Sequence, residues 1–212
     1  MTLKKIVGYA FALFISIVIL FQWIYLPWNL TWGATEEEVN RHLPGDDIVE
    51  SSSFITTRAV SINTSPENIW PWIIQIGYKR AGFYSYDILD NDGIPSADHI
   101  IPKYQDLMVG DQIPISENSS INVLVLEPPN NLLLASHSES FTWLWSLNKI
   151  DQQHTRLITR IHHRIDSNII NFLWESFEFV MMRKCMLGIK HRAESLTGIS
   201  GSLFGWVIAS TR

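Results

Sequence analysis

The sequence predicts an α+β domain, a curved antiparallel sheet folded around one long C-terminal helix, preceded by one N-terminal transmembrane helix. Three observations carry that expectation. Short runs at about 112–115, 121–127, 132–138, 141–148 and 155–165 are separated by turn signals at Glu117-Asn118-Ser119, Pro128-Pro129-Asn130-Asn131 and Asp151-Gln152-Gln153, the pattern of an antiparallel meander. From Ile169 to Glu194, the apolar residues Ile170, Leu173, Trp174, Phe177, Val180, Met181 and Leu187 fall on one helical stripe. Ile6 to Trp28 is almost purely apolar, with Gln22 its most polar member.

That first run reaches about 34 Å as a helix, enough for a hydrocarbon core of ~30 Å. Trp23, Tyr25 and Trp28 cluster at one end, where an aromatic belt would sit. A cleaved signal peptide fits less well. Its apolar stretch is normally ~7–15 residues before a small-residue cleavage site, and Ala10, Ala12 and Ala34 do not compose one clearly. A buried core helix would need an unusually large partner surface. Lys4 and Lys5 on one side, against Glu36, Glu37 and Glu38 on the other, place the N-terminus in the cytoplasm and the domain outside it. The expected organisation is an anchor over 1–28, a connector over 29–53, the domain over 54–195 and an apolar tail over 196–212. The protein is thus expected as a single-pass membrane protein.

Within the connector, Thr35 precedes three glutamates, the signature of an N-cap, and Pro44-Gly45 stops the short helix that follows. Phe54 to Asn63 is rich in Ile, Val and Thr and reads as a strand with Val60 and Ile62 on its buried face. Ser65 and Pro66 open a helix that runs to Ile76 and ends at Gly77, with Pro71 inside it. Residues 78–110 form a long insert with one short helix near Ser85–Asp90, a length often associated with function. Asp166-Ser167 caps the last long helix. The tail from Ile199 to Ser210 is apolar but too short to span a bilayer. It returns to the membrane surface, packs on the domain or stays loose.

Composition narrows the partners. The chain has 212 residues with 16 Lys+Arg and 21 Asp+Glu, a net charge of −5. Nucleic acid is therefore a poor partner. Cys185 is the only cysteine, so neither an internal disulfide nor a cysteine-based zinc site is available. No phosphate loop, nucleophile elbow or dinucleotide fingerprint occurs, and no cofactor is expected.

The most informative segment is Ile69 to Asn91, IWPWIIQIGYKRAGFYSYDILDN, with three tyrosines, two tryptophans and one phenylalanine. Each ring offers roughly 150–250 Å² of burial, and Tyr and Trp keep a polar tip. A helix followed by an aromatic, glycine-punctuated loop suits the wall and mouth of an apolar cavity. A curved sheet around one helix leaves such a cavity between them.

With these residues in view, the chain resembles the START-like helix-grip superfamily, also called SRPBCC, whose relatives include polyketide cyclases and lipid-transport proteins. More narrowly it is similar to a bacterial membrane-anchored subgroup of unassigned activity. The resemblance lies in WGAT at Trp32–Thr35, LPGDD at Leu43–Asp47, TRAVSI at Thr57–Ile62 and SPENIWPWIIQIG at Ser65–Gly77. It continues through RAGFYSYDILDNDGIPSAD at Arg80–Asp98, VGD at Val109–Asp111 and FVMMRKCMLGIKHRAE at Phe179–Glu194. It implies a helix-grip fold and an apolar ligand, and carries no catalytic residue over.

Candidate ligand contacts are Trp70 and Trp72 on the helix, Phe83, Tyr84 and Tyr86 in the insert, Trp143 and Trp145 on one strand face, and Phe177 and Met181 on the last helix. On a strand, His162 and His163 point to opposite faces, which puts His163 with Ile161 and Ile165 toward the cavity. It is read as a satisfied interior histidine or as a ligand-orienting or general-base group. It is a weak catalytic candidate, with a carboxylate such as Asp87 as its conceivable partner. Asp87, Asp90, Asp92 and Asp98 fail both calcium-loop registers, since Asp92 or Pro95 falls where glycine is needed. No metal is expected, and the carboxylates read as turn caps. Arg80 suits a ligand head group or a nearby aspartate. Glu175 and Glu178 read as solvent-facing or paired.

The expected function is binding of a hydrophobic small molecule or lipid in an internal cavity near the bilayer, without chemistry. The alternative is a cyclase- or dehydratase-type enzyme on a polyketide-like or isoprenoid substrate. An assembly or sensing module with a side-chain-filled pocket is the third reading. The oligomeric state is not indicated.

Overall fold

In the computed structural model, which describes residues 3–164 and 177–195, the strands are β1 (Phe54–Ile62), β2 (Gln112–Ser116), β3 (Ser119–Glu127), β4 (Asn131–Ala135), β5 (Phe141–Lys149) and β6 (Thr155–His163). They form one antiparallel sheet in the order β1-β6-β5-β4-β3-β2. The helices are α1 (Leu3–Leu20), α2 (Leu26–Leu30), α3 (Glu36–Asn40), α4 (Pro66–Ile74), α5 (Asp87–Asp90) and α6 (177–195). The predicted α+β class and meander are found. The expected first residues of the long helix, its Asp166-Ser167 cap and the 199–210 tail lie outside the described residues.

Cross-strand partners share a face of the sheet. Thus Trp143 pairs with Ile161 and Leu134, Trp145 with Leu132, and Val60 with Leu157, all on the inner face. That face buries the main core with Ile69, Trp70, Trp72 and Ile73 of α4 and Met182, Cys185, Met186, Ile189 and Ala193 of α6. The spacing of the α6 residues is the helical stripe the sequence shows, now seen facing the sheet. Gly188 lets α6 approach the insert closely: a Cβ there would sit 2.7 Å from Tyr84 Cβ.

The outer face is covered too. Leu43 buries against Ala59, Leu133, Leu144 and Ile158, with Ala34 and Ile48 packed beside it. The connector 29–53 therefore forms a third layer. Thr35 makes the predicted capping box with Glu38 at the start of α3. Arg160, 4% exposed, pins the layer down. Its guanidinium donates to Thr57 Oγ1 (2.9 Å), Asp46 Oδ2 (2.7 Å) and the carbonyls of Glu38 (2.7 Å), Val39 (2.8 Å) and Arg41 (2.8 Å).

The predicted transmembrane helix is corrected. Among the described residues, no helix is long and apolar enough to cross a membrane. The apolar run is not α-helical throughout. It is helix to Leu20, a π turn over Phe21–Tyr25, and then the short α2 containing Pro27. At 18 residues α1 spans about 27 Å, and Lys4 and Lys5 occupy its first turn. The end of the run belongs to the domain. Tyr25, Trp28 and Trp32 pack their rings around Phe179 of α6, and Asn29 is fully buried. The single-pass localisation and the orientation drawn from Lys4 and Lys5 fall with the span.

Candidate functional site

Between the inner face and α6 lies a cavity of about 230 Å³. Its wall is overwhelmingly apolar: Phe83 from the insert, Ile115 of β2, Phe141 and Trp143 of β5, Ile161 of β6, and Phe177, Met181, Met182 and Cys185 of α6. Three polar residues complete it, Ser85, Asp90 and Glu178. Strand alternation explains the wall, since Phe141, Trp143 and Ile161 stand on the same face of paired strands. Phe83 and Trp143 stack with ring centres 6.4 Å apart.

The insert owes its position to α4. The last carbonyls of a helix lack intrahelical partners, and here loop side chains supply them. Tyr84 Oη donates to Trp72 O at 3.0 Å, Arg80 Nη2 to Ile74 O at 3.0 Å, and Gln105 Nε2 to Pro71 O at 3.3 Å. Gln75 Nε2 donates in turn to Tyr84 Oη at 2.8 Å. Ser96 Oγ accepts from Tyr84 N and donates to Asp87 Oδ1. These bonds hold Phe83 and Ser85 over the cavity, and Ser85 Oγ donates to Met181 O of α6 at 3.0 Å.

The polar wall groups differ in their surroundings. Glu178 is buried and receives Arg58 Nη1 at 2.6 Å on both carboxylate oxygens. Arg58, on the inner face of β1 and 0% exposed, also donates to Asn29 O (2.8 Å) and Asn29 Oδ1 (2.9 Å). Burial pushes the Glu178 carboxyl upward against the opposing pull of Arg58. Among the described residues Asp90 has no cationic partner; both its carboxylate oxygens are closed off from solvent, with the Ser85 side chain and the backbone of Tyr86 and Asp90 as its hydrogen-bonding neighbours. Burial, with Asp87 adding like charge, pushes its carboxyl up to about 6. The Cys185 thiol is also raised, first by burial and then by the Asp90 charge.

Of the sequence candidates, Phe83, Trp143, Phe177 and Met181 line the cavity. Trp70, Trp72, Tyr84 and Trp145 are buried in the core around it. Trp72 meets Tyr84 edge to face at 6.0 Å, and Trp145 meets Trp143 at 5.0 Å. Tyr86 is exposed beneath Lys184 Nζ. His163 stands edge-on to Phe141, with ring centres 5.2 Å apart, and burial lowers its pKa. Its suggested partner Asp87 is engaged by Ser96 at 2.5 Å. The other carboxylates serve locally: Asp92 takes Tyr78 and Lys79, and Asp98 takes His99. Among the described residues, no group of three His, Cys, Asp or Glu side chains is placed to hold a metal ion.

Sequence reasoning turned Ile161 toward the cavity with His163, but did not single out Phe141, Met182 or Cys185 as wall residues. Phe141 was within reach of it, sharing strand parity with Trp143. Nothing in the spacing joins Arg58 to Glu178, 120 positions apart. Asp90 was visible only as one of several loop carboxylates.

No family model matches the chain, and no curated protein matches it. Solved structures do resemble it. A polyketide-cyclase-like protein from Corynebacterium glutamicum is 14% identical, covers 71% of this chain and 87% of its own, and has a TM-score of 0.33. A protein from Arthrobacter aurescens is 10% identical over 66% of this chain and 86% of its own, with a TM-score of 0.43. XoxI from Bacillus cereus is 10% identical over 68% of this chain and 97% of its own, also with a TM-score of 0.43.

Proposed function

We propose that this chain binds a compact hydrophobic small molecule in the cavity between the sheet and α6, and that it does so without transforming it. The observation that carries this reading is the cavity itself, whose wall of Phe83, Phe141, Trp143, Ile161, Met181 and Met182 leaves few groups to act as reagents. At about 230 Å³ it is smaller than the roughly 300–1,000 Å³ typical of drug-sized ligand sites. A compact ligand therefore fits better than a lipid with full acyl chains. Methionine adapts to varied apolar shapes, and Met181 and Met182 face the ligand space.

The enzymatic alternative draws support from one group. Asp90 is an acid in an apolar cavity with its pKa moved toward neutrality, a combination enriched at catalytic sites. Among the described residues its hydrogen-bonding neighbours are the Ser85 side chain and the backbone of Tyr86 and Asp90, not the second acid or base that a cyclase or dehydratase would use to move a proton in and out.

Native mass spectrometry of the full chain tests the binding reading. A bound small molecule, lost on replacing Met182 by Trp to fill the cavity, is the expected result. A chain that carries nothing and binds no apolar probe in titration sinks it. Recovery of a chemically altered probe favours the enzyme.

A further inference from the structure

The short helix α5 has its polarity reversed. Ile88 and Leu89 are 85% and 61% exposed, while the carboxylate oxygens of Asp90, in the cavity wall, are closed off from solvent. Apolar groups toward water and an acid toward the protein are the opposite of what burial favours. The stretch lies between two fixed points. On one side Tyr84, in the left-handed region with φ +58°, donates Oη to Trp72 O and its N–H to Ser96 Oγ. On the other, Asn91 Oδ1 accepts from Lys79 N at 2.7 Å and Nδ2 donates to Ile94 O at 2.6 Å. Asp92 and Gly93 follow with φ of +53° and +74°, a second left-handed bend. Between the two points Ser85 ties the stretch to α6, its hydroxyl donating to Met181 O at 3.0 Å. The same hydroxyl is a hydrogen-bonding neighbour of Asp90, and a hydroxyl has one proton to donate.

From this geometry we infer that residues 85–90 are a pH-sensitive lid on the cavity, closed on α6 while Asp90 is a neutral acid and loosened as it ionises. A neutral carboxyl tolerates the apolar wall and leaves the Ser85 proton on Met181 O. A carboxylate only accepts, and it is costly to bury. It draws the Ser85 hydroxyl away from α6 and is itself better solvated outside. Freed from α6, a single helical turn does not hold its own shape, so the lid unwinds as it lifts. Burial and the like charge of Asp87 raise the closed-state carboxyl to about 6. Opening therefore becomes easier as pH rises from about 4 to about 6 and levels off above that. Among the described residues, no cation is placed against Asp90 to cancel the effect. Asp87, on the same turn, is bound by Ser96. From α6, Cys185 faces the cavity as a thiol raised by burial, and Glu178 is paired with Arg58 of β1. Lys184 lies over the Tyr86 ring, and Arg192 lies over the Tyr84 ring and donates to Ala97 O. The sheet presents Ile115, Phe141, Trp143 and Ile161, with His163 against Phe141. The lid rests on the binding reading for what it guards, and not for its own opening.

The test is hydrogen exchange of the full chain, read by mass spectrometry at pH 5 and pH 7.5 and corrected for the intrinsic pH dependence of exchange. The reporters are the amides of Leu89, Asp90 and Asn91, which bond to Tyr86 O and Asp87 O. A carboxyl at about 6 in the closed lid and at the ordinary 3.8 in the open one implies that their protection falls about tenfold between the two pH values. Amides of β5, in the middle of the sheet, report that each variant is folded. Asp90→Asn, neutral at both pH values, should hold the protection level. Ser85→Ala should lower protection at pH 5, where the parent lid is latched. Ethylbenzene added at pH 7.5 should restore protection, as a ligand held under the lid does. Equal protection of the parent at both pH values overturns the lid and leaves the binding reading standing. A pH dependence that survives in Asp90→Asn overturns Asp90 as the trigger, and parent-like protection in Ser85→Ala overturns the latch. A lid that answers to pH but not to ethylbenzene supports the gate and counts against the binding reading.

Discussion

Arg58 and Glu178 show how one buried pair decides what the cavity wall can be. Their contact at 2.6 Å is almost wholly out of water, with side-chain exposures of 0% and 7%. Such a pair gives little net stability, because desolvating both charges consumes most of what their attraction returns. Breaking it is another matter. Arg58→Met leaves Glu178 buried and unanswered, and should cost about 3–5 kcal/mol in denaturant unfolding. The double variant Arg58→Met, Glu178→Leu removes both charges and should recover most of that loss. If the single and double variants are equally unstable, the pair is not what Arg58 contributes. Asp90 gives the opposite signature. Its folded carboxyl stands at about 6 against an ordinary value of 3.8. A raised acid binds its proton more tightly when folded, so its penalty is absent below pH about 4 and grows as pH rises to about 6. Asp90→Leu should flatten that part of the stability–pH curve and raise the melting temperature at pH 7. A melting temperature that falls at pH 7 would mean that the carboxylate has a stabilising partner.

At the level of the elements, α6 sits where it does because its fourth turn carries a glycine. Gly188 lets α6 lie directly on the Tyr84 backbone. Alanine would improve helix propensity by about 1 kcal/mol, yet its methyl would press on main-chain atoms that cannot rotate aside. Overpacking of that kind costs about 1–3 kcal/mol, so Gly188→Ala should lower stability by about 1 kcal/mol. Because α6 and the insert both wall the cavity, probe binding should weaken with it. Unchanged stability and binding would place α6 further from the insert than described. The elements themselves were largely legible in the sequence. The 54–63, 121–127 and 141–148 strands and the Pro66 helix follow from alternation, β-branched residues and caps, and all are found near their expected limits. The inner-face membership of Trp143 and Phe83's place over the cavity followed from parity and from the aromatic loop. What failed was the N-terminal run, where composition alone was read as a membrane span. The π turn at Phe21–Tyr25 and the rings gathered on Phe179 depend on a tertiary partner that local hydropathy cannot show.

On the scale of the whole molecule, the sheet is covered on both faces, and the strands had already recorded it. In β5 the residues Trp143, Leu144 and Trp145 are consecutive and apolar, and each is buried. A sheet with one wet face alternates, whereas a run of this kind marks a strand covered twice. The connector's own sequence does not show this layer, because most of its residues are polar and its grip comes from side chains of the sheet. Arg160 supplies that grip through hydrogen bonds to three connector carbonyls, to Asp46 and to Thr57. Satisfying acceptors spread this widely needs a planar fork, which an ammonium cannot reproduce. Arg160→Lys therefore keeps the charge yet leaves several buried acceptors unpaired, each worth roughly 1–3 kcal/mol. The expected loss is at least about 2 kcal/mol, with protease cleavage appearing first between residues 36 and 50. Cavity binding should survive in the folded fraction, because Arg160 faces away from the inner core. If Arg160→Lys unfolds as the parent does and the connector stays resistant, then Leu43 and its apolar neighbours, rather than the guanidinium, hold the outer layer in place.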